Sequence, residues 1–394
     1  MNELRRLTLL DCAFRLLDDV RSPQDFTIVL HFRDPPDVDG LRAGARSARE
    51  RYKISGSRLE RSAWVYKNAD QEIEIGCGVE QFANRPFDLC TGNPVRQLFT
   101  GSTLATRFHH AAADGMSAAL WLGHQLNIAY GLTPDTNSSA VSLRTAETSV
   151  RRSAFAYDAA CDPLSATNAT RSGTRQWITR GFDCENLRRA CRRAGGFTYS
   201  DLLATCTLEV FRQWNQRHTC NGRPRVGLWL PVNIRQRSTE GFGNGTSRIR
   251  LYAQYSPSAS LVDKAREIRR QVAWSMEHGE WVVPDVPLLT RLPHWITRPA
   301  LRRYLNRPSI DMATGVFSHA DRWGGASEAF QHVDRIECVG LLHPRQNLAV
   351  NGATHRGQTW LTFTYDTGLM RAGDAEELAR MYEQQIERAR AELL

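Results

Sequence analysis

Lysine is almost missing from this 394-residue chain: three of its 51 basic residues are lysines, so its positive charge is carried nearly wholly by guanidinium groups. The nine cysteines contain no Cys-x-x-Cys pair, which leaves neither the ligand spacing of a structural zinc site nor, with an odd total, a closed disulfide framework. No stretch approaches the run of about 20 apolar residues that a membrane span requires. Residues 1–20 are interrupted by Arg5, Arg6, Asp11, Arg15, Asp18 and Asp19, so no secretory apolar segment is expected, and a reducing cytoplasm fits best. Gly-x-Ser-x-Gly is also missing. Its nearest approach, Gly115-Met-Ser117-Ala-Ala119, fails at the last position, which removes the nucleophile elbow of a serine hydrolase. Gly241-x-Gly243-x-Gly245 lacks the spacing of a dinucleotide fingerprint and reads as a turn. Internal repeats and low-complexity tracts are lacking too, which excludes solenoids and propellers.

What is present describes a soluble globular protein. The chain is 41% apolar and 24% charged, enough for two cores of about 150 to 200 residues each. Its formal charge is +9, unevenly spread: residues 1–150 carry 17 basic and 18 acidic groups and the remainder 34 and 24. The excess in the second part reflects either a coding bias toward arginine or an acidic partner, such as a phosphate-bearing ligand or an acidic carrier protein. Nothing beyond charge resembles a nucleic-acid motif.

Hydrophobic spacing gives a mixed order of elements. Strands are expected at Phe26–Phe32, Ala63–Tyr66, Gln71–Ile75, Val95–Thr100 and Leu104–Phe108, and helices over Asp39–Tyr52 and from just after Gly115 to about Tyr130. Between Gly131 and Ser172 the composition turns to Thr, Ser, Asn, Asp and Ala, as in a crossover segment. Beyond it, Thr198-Tyr-Ser-Asp201 and Ser260-Leu-Val-Asp263 read as capping boxes that open helices. A last helix is expected from near Asp374. Strands are expected at Arg225–Val232, Ser247–Tyr255, Leu348–Asn351 and Trp360–Tyr365. The fold class is α/β, with a first unit at 1–150, a crossover at 151–172 and a second unit at 173–394.

The string that carries chemistry is His109-His110-Ala-Ala-Ala-Asp114-Gly115, at the end of an expected strand. A histidine held there is placed to act as a general base, because neutral imidazole accepts a proton near pH 7. Asp114, just behind the loop, is placed to pair with a buried arginine, and Gly115 to adopt a positive φ in the turn. Two other readings remain: a metal site of the two histidines and Asp114, for which no His-x-x-x-His, Glu-x-x-His or cysteine ligand lies nearby to complete the set, and histidines merely capped within a core.

His109-His110-x-x-x-Asp114-Gly115 resembles the active-site motif of the chloramphenicol acetyltransferase-like superfamily, which includes peptide-synthetase condensation domains, wax ester synthases and polyketide-associated acyltransferases. Other stretches agree in order. Arg85-Pro-Phe-Asp-Leu-Cys-Thr-Gly-Asn-Pro-Val-Arg96 resembles the segment before the motif, Pro231-Val-Asn-Ile-Arg235 with Gly241-Phe-Gly-Asn244 the later pair, and Thr362-Phe-Thr-Tyr365-Asp366 the closing strand. The resemblance implies two subdomains of similar topology meeting in a V, with a central tunnel entered by donor and acceptor from opposite faces. It implies His110 as catalytic base with His109 beside it, Asp114 paired with Arg235, and Asn244 and Ser318 near the tunnel. Around Ser318 the sequence Phe317-Ser-His-Ala-Asp321 lacks the family's asparagine and glycine.

The activity so implied is acyl transfer from a thioester, on coenzyme A or a carrier protein, to a hydroxyl or amine acceptor in natural-product or lipid biosynthesis. The expected enzyme is a free-standing monomer with no metal, no permanently bound cofactor, no nucleic-acid partner and no membrane span. Two alternatives stay open: a condensation-like enzyme that cyclises or dehydrates an intermediate, and a non-catalytic module that binds a carrier protein.

Overall fold

The computed structural model describes residues 3–60, 63–67, 72–76, 78–133, 154–168, 170–218, 224–235, 241–281, 294–305, 312–321, 323 and 327–394. The strands are β1 (Glu3–Arg6), β2 (Asp25–Phe32), β3 (Ser57–Glu60), β4 (Ala63–Tyr66), β5 (Glu74–Ile75), β6 (Val95–Thr100), β7 (Thr103–His109), β8 (Arg175–Asp183), β9 (Gly227–Asn233), β10 (Thr246–Tyr252), β11 (Gly315–Ala320), β12 (Val333–Val339), β13 (Leu348–His355) and β14 (Gln358–Asp366). The α-helices are α1 (Leu9–Leu17), α2 (Val38–Arg51), α3 (Val79–Ala83), α4 (Gly115–Ala129), α5 (Glu185–Ala194), α6 (Tyr199–His218), α7 (Leu261–Glu277), α8 (His294–Leu305) and α9 (Ala372–Leu393). Gln71 of the expected third strand and much of the crossover lie outside the described residues.

Two large sheets organise the chain. The first has the order β12-β2-β7-β6-β5 and the second β10-β9-β11-β13-β14-β8. The first sheet packs α2 and α4 on one face, with Leu41, Ala45, Ala48, Trp121, Leu122 and Leu126 against Ile28, Leu30, Leu104 and Phe108. The second packs α5, α6, α7 and α9 through Leu203, Phe211, Trp214, Ile268 and Tyr382 against Leu228, Val350, Leu361 and Phe363. Each is a two-layer unit whose sheet buries one face against helices. A small third sheet, β1-β4-β3, sits with α1 below the histidine loop, where Cys12, Leu59 and Trp64 cluster with Ala111 and Ala112.

Local signals explain where the helices begin. Thr198 and Asp201 exchange side chain to backbone hydrogen bonds at the start of α6, and the Asp263 amide donates to Ser260 at 3.0 Å at the start of α7. Thr8 and Asp11 form the same reciprocal box on α1. These bonds satisfy backbone N–H groups that have no partner inside the helix.

Strand β12 joins the two units. By sequence it falls within 173–394, yet it pairs antiparallel with β2 as the edge of the first sheet. Its end also meets β14, where the Cys338 and Gly340 amides donate to the hydroxyls of Thr362 and Thr364, each at 3.0 Å. Among the described residues, no helix is long and apolar enough to cross a membrane.

Candidate active site

The site is built on the turn that leaves β7 and enters α4. Strand alternation sends His109 and His110 to opposite sides. Backbone bonds fix both residues: the His109 amide donates to the Pro94 carbonyl at 2.9 Å, the His110 amide to Gln24 at 2.8 Å, and the Ala112 amide returns to His109 at 2.9 Å.

The two histidines do different things. His109 is fully buried. Its Nδ1 accepts from the Ala111 amide at 3.1 Å, and its Nε2 faces the Asp18 carboxylate at 3.3 Å. Both ring nitrogens are thus turned into the loop and its support. The His110 ring is stacked on Phe14 of α1, with centroids 4.1 Å apart, and Phe26 of β2 meets it edge-on at 5.3 Å. His110 is only half-buried, but its Nδ1 is buried without a hydrogen-bond partner. Nε2 is therefore the nitrogen left to meet a substrate. Burial pushes the His110 pKa below that of free histidine, and the Asp114 carboxylate partly opposes this. The imidazole is neutral at pH 7, as a proton acceptor must be.

Asp114 holds the loop from behind. It caps α4 by accepting from the Ser117 amide at 3.0 Å, and it forms a two-pronged pair with Arg235, at 2.8 Å and 2.7 Å. The Gly245 amide and the Thr246 hydroxyl complete its shell at 2.8 Å and 2.7 Å. Burial opposes the charge on Asp114, yet Arg235 and these donors hold the carboxyl below the usual carboxylate range. The residue at 245 must be glycine, since a Cβ there would lie 2.5 Å from Arg235 Cγ. Ser117 adds a second link, donating to the Gly243 carbonyl at 2.7 Å while accepting from Arg235 at 3.0 Å. Asn244 Nδ2 donates to the His110 carbonyl. The segment 243–246 of the second unit thus clamps the histidine loop of the first.

Two sequence expectations need correction or limit. Gly115 does not adopt a positive φ: the positive-φ glycines do not include it. It opens α4, where helical φ is required, and the turn is made by His110, Ala111 and Ala112. A Cβ on Gly115 would meet nothing within 4 Å. Ser318 lies on β11 in register with Asn351 of β13, and no hydrogen bond among the described residues links it to the histidine loop. The three residues of the alternative metal reading diverge, because His109 faces Asp18, His110 faces outward and Asp114 is paired with Arg235. Among the described residues, no group of three or more His, Cys, Asp or Glu side chains is placed to hold a metal.

Sequence reasoning missed a buried ion cluster under the same loop. Asp25 of β2, in register with His109, is bound by Arg107 of β7 at 2.9 Å and Arg175 of β8 at 3.0 Å. Burial opposes its ionisation, and Arg175 followed by Arg107 keeps the carboxyl below its ordinary range. Other guanidinium donors reach the carbonyls of Phe82 at 2.8 Å, Arg85 at 2.8 Å and Ala83 at 2.6 Å, while Asp25 Oδ1 and Arg175 Nε are buried without a hydrogen-bond partner. The available signal was Arg107 itself, a charge inside an otherwise apolar strand. Phe14 and Asp18, on and just after α1, gave no signal, because one aromatic and one acid in a short amphipathic segment read as ordinary packing and solvation.

No protein-family model matches the sequence, and no curated protein is detectably similar to it. Solved structures are similar over nearly the whole chain. The first condensation domain of the calcium-dependent antibiotic synthetase, in complex with a substrate analogue, superposes with a TM-score of 0.72 at 13% identity, covering 98% of this chain and 97% of that one. The EpoB NRPS cyclization-docking bidomain from Sorangium cellulosum gives 0.68 at 16% identity, covering 98% and 85%. A mutant starter condensation domain of rhizomide synthetase, in complex with C8-CoA and Leu-SNAC, gives 0.66 at 13% identity, covering 98% and 94%. The chain has the condensation-domain fold, with two chloramphenicol acetyltransferase-like subdomains.

Proposed function

We propose that the protein is an acyltransferase that joins an acyl group from a thioester, on coenzyme A or a carrier protein, to a hydroxyl or amine acceptor. The observation that carries this reading is the isolation of His110: a neutral imidazole stacked on Phe14 and met edge-on by Phe26, with one nitrogen buried and the other left for a substrate. Nε2 takes the proton of the acceptor as its oxygen or nitrogen attacks the thioester carbonyl carbon. A carbon–oxygen or carbon–nitrogen bond forms, the carbon–sulfur bond breaks, and the proton held on the imidazole passes to the departing thiolate. No acyl-enzyme and no metal is called for. The work is proximity plus general base catalysis, and the base contributes about 10²–10⁴-fold. His109 and Asp114 act as positioning residues, since each spends its hydrogen bonds on the loop.

A mass-spectrometric screen of thioesters against alcohols and amines tests the proposal. An intact acyl–acceptor product is expected from the parent protein, with a loss of about 10²–10⁴-fold in the His110→Ala variant and an unchanged circular dichroism spectrum. Near-normal turnover by that variant overturns the assignment of the base. A cyclised or dehydrated single substrate in place of the joined product overturns transfer as the reaction.

A further inference from the structure

The second sheet carries an arginine without a counter-ion on the face that looks toward the histidine loop. Ile249 and Leu251 of β10 enter the helix-covered core, so alternation places Thr246, Arg248 and Arg250 on the opposite face. Thr246 donates to Asp114, which identifies that face as the one turned to the site. The Arg248 guanidinium lies over the indole of Trp229 on β9, 3.8 Å from the ring centroid, and His343 meets the same indole edge-on at 5.0 Å. Among the described residues, Arg248 makes no hydrogen bond and no ion pair, and this stacking is its one specific contact.

The surroundings are cationic. Burial first, and then the charges of Arg248, Arg171 and Arg345, push the His343 pKa down to about 3. This histidine is therefore neutral and adds no charge of its own. Arg248 is accessible to water, yet desolvation, with Arg250 beside it, brings its pKa down to about 10. A guanidinium on open surface is not desolvated in this way. Arg248 is a charged, stacked and pre-oriented fork in a wet recess that supplies no anion. Its donors are open to a ligand that supplies the anion. Stacking on an aromatic face leaves the edge of the guanidinium free for two parallel bonds.

Arg248 follows Asn244, whose side chain touches the His110 carbonyl, by four residues, on the face of β10 turned to the site. Its planar fork offers two parallel donors that match the two coplanar oxygens of a carboxylate. We propose that Arg248, backed by Trp229, binds a carboxylate of the acceptor substrate and so selects carboxylate-bearing acceptors. The word "acceptor" rests on the acyl-transfer reading above; the carboxylate site does not.

Benzoate and its neutral counterpart benzamide are the probes, with affinity measured by equilibrium dialysis on the full chain. Benzoate is expected to bind at least about tenfold more tightly than benzamide, with that preference lost in Arg248→Ala and partly kept in Arg248→Lys. The thermal midpoint of each variant establishes that it is folded. Equal benzoate affinity in the parent and Arg248→Ala overturns the proposal. Inorganic phosphate binding more tightly than benzoate, and through Arg248, overturns the carboxylate assignment in favour of a phosphate. His110→Ala is expected to keep benzoate binding. A chain that binds benzoate through Arg248 but joins no acyl group supports this site while refuting the acyl-transfer reading alone.

Discussion

Asp114 receives five hydrogen bonds, from two nitrogens of Arg235, two backbone amides and the Thr246 hydroxyl. None of these donors is on His110. The carboxylate is thus spent on holding the loop against the second unit. Removing Arg235 leaves a buried, partly satisfied charge, which costs far more than the intact pair contributes. Arg235→Ala is expected to lower the free energy of unfolding in guanidinium chloride by about 3–5 kcal/mol, and Asp114→Asn to be destabilising in the same assay. Variants that unfold at the parent's midpoint refute this division of labour. At this scale the sequence was most legible. His109, His110, Asp114, Arg235 and Asn244 all meet in space, as a motif of unusual residue types can reveal. Asp25 and its two arginines escaped because the pairing joins three separate strands, and no local spacing records it.

Among the elements, α1 has an influence out of proportion to its nine residues. Its capping box fixes where it begins, and that start sets the rotation that lays Phe14 on His110. The C-terminal end of α1 leads to Asp18, which supports His109 at 3.3 Å. Phe14→Ala leaves both histidines in place but frees the His110 ring to turn. If acyl transfer is the activity, kcat is expected to fall by about 10²-fold, as small misplacements of reacting groups do. KM is expected to be little changed, and Phe14→Leu to restore part of the loss. An unchanged kcat in Phe14→Ala contradicts the positioning role. Helix α1 was not legible because its window alternates Leu with Arg and Asp over too few residues to separate it from a loop. The longer elements declared themselves: α2, α4, α6 and α7 all fall where apolar spacing and caps place them. Strand β8 was missed because Arg175, Gln176 and Arg180 interrupt its apolar positions, while its partner β14 reads clearly.

Across the whole molecule, buried neutral histidines make stability depend on acidity. His343 is held neutral down to a pKa of about 3 and His319 to about 4, in both cases chiefly by burial. The unfolded chain takes up these protons near pH 6.5, so it binds more protons than the folded one below that point, and stability falls as the pH falls. For His343 alone the loss by pH 5 is on the order of 2 kcal/mol. Urea unfolding at pH 7 and pH 5 is expected to show a drop of at least this size, reduced by roughly that amount in His343→Gln. A stability independent of pH over this range contradicts the account. Strand β12 ties the two units together, because it is encoded among the strands of one sheet and hydrogen-bonded into the other. A gene cut between the two units would leave one fragment with β2 as a bare sheet edge and the other with β12 as a loose ribbon. Each is a ready partner for aggregation when made alone. Produced together, the two fragments carry matched halves of one strand pair, which makes this chain a natural candidate for splitting and reassembly in trans.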